Sequence, residues 1–184
     1  VRLLLSAYAQ LRQKVIDAPK LYLIGEPPSE AAQLYLQSLG IAEHVRLLGP
    51  KHGDELAELY RNASLFVLSS DEEGLAIVIL EAMASGLPVV STDCGGPATA
   101  VSRNKTGLLT PVGDANALAA AMETLVRDPG LCDRFGIEGR RVAEERFSIA
   151  AAGEIFLDTY DKVLKIETHE SMVPRAVAEH ANAK

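Results

Sequence analysis

From Asp71 to Val90 the chain reads DEEGLAIVILEAMASGLPVV, and in it two carboxylates, Glu73 and Glu81, stand eight residues apart across an apolar run. An ionised carboxylate is acceptor-only and takes two donors at once, which suits a vicinal diol. Gly74, Leu75 and Ala76 fall where the pattern predicts a helix to open, over Leu75 to Ser85. Unpaired amides and the helix dipole at such an opening favour a phosphate, and Gly74 lets the backbone approach it closely. Glu81 lies over a turn into the helix and is expected to be buried among apolar neighbours, where an unpaired charge costs several kcal/mol. A ligand touching both carboxylates must be extended, with a phosphate between two polyhydroxylated ends. A nucleotide diphosphate sugar has that layout: Glu73 toward the sugar hydroxyls, amides on the phosphate, Glu81 on the ribose diol. The residues alone also allow plainer roles, Glu72 and Glu73 as complements to a helix dipole and Glu81 as neutral or paired with a buried Lys or Arg.

The elements that must position these residues alternate. Leu4, Leu5, Tyr8, Leu11 and Val15 recur at helical spacing over Val1 to Val15, and the short apolar strand KLYLIG follows, Lys20 to Gly25. Next come a helix over Ser29 to Leu39 with Ser29 as N-cap, a strand Val45 to Leu48, a helix Gly53 to Asn62 and a strand Leu65 to Leu68. The helix carrying Glu81 then leads to a strand Leu87 to Ser91. Gly86 and Pro88 read as its C-cap and terminator. Cys94-Gly95-Gly96-Pro97 reads as a turn whose glycine pair could also form an amide nest. A last strand spans Gly107 to Thr110. Asp114 caps a helix to Arg127, a second helix covers Leu131 to Phe147, and Ser148 caps a third reaching Ile166. Continuous apolar strands such as LFVL and LPVV predict a doubly wound, parallel α/β sheet covered on both faces. The predicted domain is 1–166, with a polar tail over 167–184.

Composition narrows the function classes. The 184 residues are 48% hydrophobic and 23% charged, enough for one sizeable core. A net charge of -7 argues against a nucleic-acid surface or an anionic membrane surface. Small anions remain compatible, since backbone amides carry no formal charge. Cys94 and Cys132 make no disulfide framework, and the four histidines show no metal-ligand spacing. A reducing, cytoplasmic location and no structural metal are therefore expected. No membrane segment is legible. There is no GxGxxG after a strand and no GxxxxGK[ST], which weakens dinucleotide and P-loop readings.

The segment from Glu73 to Glu81 followed by AMASGLPVVSTDCGGP, with TGLLTPVGDANALAAAM from Thr106 to Met122, resembles the C-terminal half of a GT-B retaining glycosyltransferase of family four. The EG-x6-E element is that family's signature. The likeness also takes in LYLIGEPP and VRLLGP and extends to the helix ending near Phe147. It implies a Rossmann-like domain, one half of a GT-B architecture, that binds a nucleotide sugar. Glu73 would contact the donor sugar and serve in catalysis, Gly74, Leu75 and Ala76 would reach sugar and phosphate, and Glu81 would hold the ribose. The loop Gly49-Pro50-Lys51 would lie against the nucleobase. No cofactor is implied beyond the nucleotide diphosphate sugar, which is the donor substrate. Where the family reads EGFG this chain has Ala76 as the last residue. The family's half also opens with a strand and a loop bearing an Arg and a Lys, so the resemblance implies that this first strand, the Arg/Lys pair and an N-terminal acceptor-binding half lie before Val1. Two functions follow: the donor-binding half of a retaining glycosyltransferase, expected to be inactive alone, or a non-transferring nucleotide-sugar protein such as a GT-B epimerase or a degenerate binding module.

Overall fold

The structure, a computed structural model, describes residues 1–170, with side-chain environments through residue 164. Helices and strands alternate: α1 (Arg2–Lys14), β1 (Leu21–Ile24), α2 (Glu30–Ser38), β2 (Val45–Gly49), α3 (Gly53–Arg61), β3 (Phe66–Leu68), α4 (Ile77–Ala84) and β4 (Val89–Thr92). After these come α5 (Pro97–Ala100), β5 (Gly107–Thr110), α6 (Ala115–Arg127), α7 (Pro129–Phe147) and α8 (Ile149–Glu170). The expected N-caps act as such: Ser29 Oγ accepts the Ala32 amide at 3.3 Å and Asp114 Oδ1 the Ala117 amide at 2.9 Å. Behind α4, Gly86 at φ 77° donates to the Met83 carbonyl while Leu87 reaches back to Ala82. That pair of bonds is a Schellman cap, and it needs a residue tolerant of positive φ at Gly86.

The chain divides into two compact units, Val1–Glu145 and a second from Arg146 onward. In the second, Ser148 Oγ accepts the Ala151 amide at 3.1 Å and so caps α8. α8 runs on to Glu170, through the first four residues of the expected polar tail; the rest of that tail lies outside the described residues. No helix among the described residues is long and apolar enough to cross a membrane.

All strand pairing in the first unit is parallel. α1 and α6 pack together through Leu4, Leu5, Tyr8 and Leu11 against Leu118, Met122 and Leu125, and α6 also lies against β4 and β5. α4 meets β3, β4 and α5, and α7 closes on the end of α4, where a Cβ on Gly136 would overlap the Gly86 carbonyl. β4 is buried at all four residues, as expected of a strand flanked on both edges and covered on both faces.

The ladder nevertheless comes in two pieces, β1–β2 and β3–β4–β5, with no hydrogen bonds joining β1 to β3. Leu21–Ile24 of β1 and Leu65–Leu68 beside and within β3 line one cavity of about 1270 Å³, together with Tyr8 and Leu11 of α1 and Met122 of α6. β3 is only half-buried throughout, and β1 leaves Tyr22 and Ile24 exposed. Both strands are open along the edge that faces this cavity. The arrangement matches the doubly wound order in which one further parallel strand lies between them and completes both ladders.

Unpaired apolar edges template pairing with other chains. The isolated 184-residue chain is therefore expected to associate with rising concentration and to bind a hydrophobic dye, as read by light scattering and fluorescence. A compact, cooperatively melting monomer that binds no dye would contradict this reading of the two edges.

Candidate functional site

β3 and β4 stay in register past their ends, and this places the site. Thr92, fully buried at the end of β4, donates its hydroxyl to the Ser70 carbonyl at 2.6 Å. Four residues beyond Thr92, the Gly96 amide donates to the Glu73 carbonyl at 3.1 Å, and Glu73 and Gly95 form a parallel bridge. A Cβ on Gly96 would overlap the Gly74 carbonyl, so only glycine allows the two loops this approach. The expected turn at Cys94-Gly95-Gly96-Pro97 thus clamps the Glu73 loop and leads straight into α5.

Glu73 is half-buried in this loop, its Oε1 accepting the Ser70 hydroxyl at 2.9 Å. Gly74 and Leu75 are exposed, and Ala76, nearly buried, is the N-cap of α4 without a side-chain capping bond. α4 begins at Ile77, two residues later than the sequence pattern predicts. LAIVIL carries no capping side chain to mark a start, so its boundary is set by where the clamp releases the chain. The first turn closes with the Ile79 amide on the Ala76 carbonyl at 2.8 Å. The consecutive amides from Gly74 to Val78 then donate to no protein acceptor among the described residues. A run of free amides at a helix start favours an anion there.

Glu81 departs from expectation. It is exposed, on the same outward face of α4 as Ile77 and Val78, so the burial cost expected from its apolar surroundings does not arise. The inward face is Ile79, Ala82 and Met83. Its partner is neither Lys nor Arg but the Tyr60 hydroxyl of α3, which donates to Oε2 at 3.2 Å. Burial first, and the neighbouring Glu81 carboxylate second, push the Tyr60 phenol well above its usual pKa. The phenol therefore stays protonated and remains a donor. Among the described residues neither Glu73 nor Glu81 pairs with a cation; each is held by a neutral hydroxyl.

Gly49, at φ 69°, ends β2 and accepts the Gly25 amide at 3.0 Å. Pro50 and Lys51 follow, with Lys51 Nζ 2.5 Å from Glu55 in the first turn of α3. The large cavity brings Pro50 and Lys51 together with Tyr60, Val78 and Ser69 to Glu72. Glu73, Gly74, Leu75, Ala76, Gly49 and Glu81 are not among its lining residues; Glu81 joins it through Tyr60. Sequence reading missed Ser70, Thr92 and Tyr60. Ser70 stands three residues before Glu73, a separation at which the two side chains can meet within one loop. Tyr60 lies 21 residues from Glu81, and nothing local in the sequence marks it. Among the described residues there is no cluster of three His, Cys, Asp or Glu placed to hold a metal.

Gly96→Ala is expected to force the Glu73 loop off β4, lowering stability by about 1–3 kcal/mol as overpacking does. Denaturant unfolding of the two proteins side by side checks this, and an unchanged midpoint would show that the loops are not clamped.

The family model for group 1 glycosyl transferases matches residues 1–142. A GDP-mannose-dependent alpha-(1-6)-phosphatidylinositol monomannoside mannosyltransferase of Mycolicibacterium smegmatis is 32% identical over 158 residues, covering 82% of this chain and 41% of its own. Sucrose-phosphate synthase of Thermosynechococcus elongatus superposes with a TM-score of 0.79 at 29% identity, over 90% of this chain and 42% of its own. HepE of Anabaena, solved in complex with UDP, superposes with a TM-score of 0.78 at 23% identity, over 87% of this chain and 44% of its own, a likeness of fold. The chain thus spans well under half the length of each of these three proteins, and the residues matched by the family model take in all five strands, α1 to α6 and the clamped Glu73 loop. It belongs to the group 1 glycosyl transferase family and has the Rossmann-like fold of a GT-B C-terminal half.

Proposed function

We propose that this chain is the donor-binding half of a retaining glycosyltransferase that moves a sugar from a nucleotide diphosphate sugar to an acceptor held by a separate, N-terminal half. The observation that carries the reading is the pair of cation-free carboxylates at either end of a run of free amides, Glu73 before it and Glu81 after it. From Ile77 to Glu81 the helix rises by about 6 Å, so an extended ligand can touch both ends. In this reading the amides from Gly74 through Val78 take the diphosphate. Glu73, oriented by Ser70, accepts from the sugar hydroxyls and acts beside the anomeric carbon. Glu81 accepts from the ribose diol. Pro50 and Lys51, on the cavity wall, flank the base. The names of the matched proteins support a nucleotide donor, one GDP-mannose-dependent and another bound to UDP. The reaction so written calls for no resident cofactor, because the nucleotide diphosphate arrives and leaves as part of the substrate. With both cysteines free, we place the protein in a reducing compartment, the cytoplasm. Acceptor positioning, and with it turnover, falls to the other half.

In the full-length polypeptide, Glu81→Gln is expected to weaken nucleoside diphosphate binding by about 1.5–3 kcal/mol, the worth of hydrogen bonds to a charged group. Glu73→Ala is expected to lower turnover with little loss of nucleoside diphosphate affinity, since its partner lies at the sugar end. Calorimetry and steady-state rates on the two variants make the comparison. Equal loss of nucleoside diphosphate in both would sink the extended placement of the donor.

A further inference from the structure

The Tyr60 phenol lies at the C-terminal end of α3, 8% exposed, its ring centroid 6.0 Å from that of Phe66. From there its hydroxyl reaches out to Oε2 of the exposed Glu81 at 3.2 Å. A buried, two-torsion aromatic side chain thus anchors a flexible surface carboxylate. A Glu on an exposed helix face ordinarily samples several rotamers, and fixing them on ligand binding costs affinity. Holding the carboxylate beforehand removes that cost. The choice of anchor matters chemically. An Arg or Lys would compete with the ligand for both carboxylate oxygens and neutralise the charge, whereas one neutral hydroxyl occupies part of Oε2 and leaves Oε1 and the full negative charge for other donors.

We propose that Tyr60 is a positioning residue that holds Glu81 for the two ribose hydroxyls and thereby sets the preference of the site for ribonucleotides over deoxyribonucleotides. The inference rests on the ribose role proposed above for Glu81. A diol that meets a fixed carboxylate makes two charge-assisted bonds, and its deoxy analogue leaves one acceptor position unfilled. When the carboxylate is free to turn, it can swing to serve a single hydroxyl, and the difference between the two ligands shrinks. The raised pKa of the Tyr60 phenol fits this role, since the anchor stays a donor wherever the enzyme would work.

The test uses the full-length polypeptide with uridine, guanosine and adenosine diphosphates and their 2′-deoxy forms as probes. The affinity ratio between ribo and deoxy forms of the best-binding base is measured for the parent, Tyr60→Phe and Glu81→Gln. Tyr60→Phe keeps the ring against Phe66, and the ratio is internal to each protein, so a partial loss of folded material cancels. The expected result is a ratio reduced about three- to ten-fold in Tyr60→Phe, in the range of one lost hydrogen bond, and reduced at least as far in Glu81→Gln. A parental ratio in Tyr60→Phe beside a reduced one in Glu81→Gln would overturn the positioning role and leave the ribose assignment standing. A parental ratio in Glu81→Gln would overturn the ribose assignment itself.

Discussion

The backbone zipper between the loops that follow β3 and β4 is the constraint on which the site depends. The Gly96 amide on the Glu73 carbonyl, the bridge from Glu73 to Gly95 and the Thr92 hydroxyl on the Ser70 carbonyl carry the parallel register beyond the strands. Strand ends usually release their loops to solvent. Here a main chain without a Cβ at Gly96 lies directly on Gly74, so the loop that opens α4 has one position relative to the sheet. Glu73, the free amides and the direction of α4 all follow from it.

The far end of α4 is held as tightly. The Schellman cap at Gly86 ends the helix, and Gly136 of α7 approaches the Gly86 carbonyl at a distance only glycine permits. Between these two glycine contacts the helix turns Ile79, Ala82 and Met83 inward and presents Ile77, Val78 and Glu81 outward. A rigid helix with an outward carboxylate, steadied from the side by Tyr60, is suited to recognising a polar ligand over a broad apolar rim. Between β1 and β3 the unit is less complete. Along β1 and β3 the ladder is open, and the cavity there runs continuously from the sheet to Pro50, Lys51 and Tyr60.

Much of the fold was legible because its punctuation is local. Gly107 to Thr110 is the predicted strand to the residue, and Ser29 and Asp114 cap the helices they were expected to cap, since a short polar side chain before an apolar period has few other uses. The order of parallel strands and helices followed from continuous apolar runs. Where no capping side chain exists, as before Ile77, the boundary moved. Glu81 was misjudged for a related reason: α4 is apolar on both faces, so periodicity does not separate inside from outside, and the exposed Ile77 and Val78 look like core. Ser70 was readable from its spacing to Glu73. Tyr60 was not, because its contact with Glu81 joins two helices that only the folded sheet brings together. The short α5 after Gly96 and the reach of α8 to Glu170 were likewise not marked by any sequence signal.

In the proposed site one extended donor spans from Glu73 to Glu81. A crystal structure of the full-length polypeptide with its nucleotide diphosphate sugar tests it most directly. The expected density places ribose hydroxyls within about 3 Å of the Glu81 carboxylate and diphosphate oxygens at that distance from the amides between Gly74 and Val78, with the sugar beside Glu73. A bound donor whose ribose lies away from Glu81, or whose diphosphate avoids those amides, would contradict it.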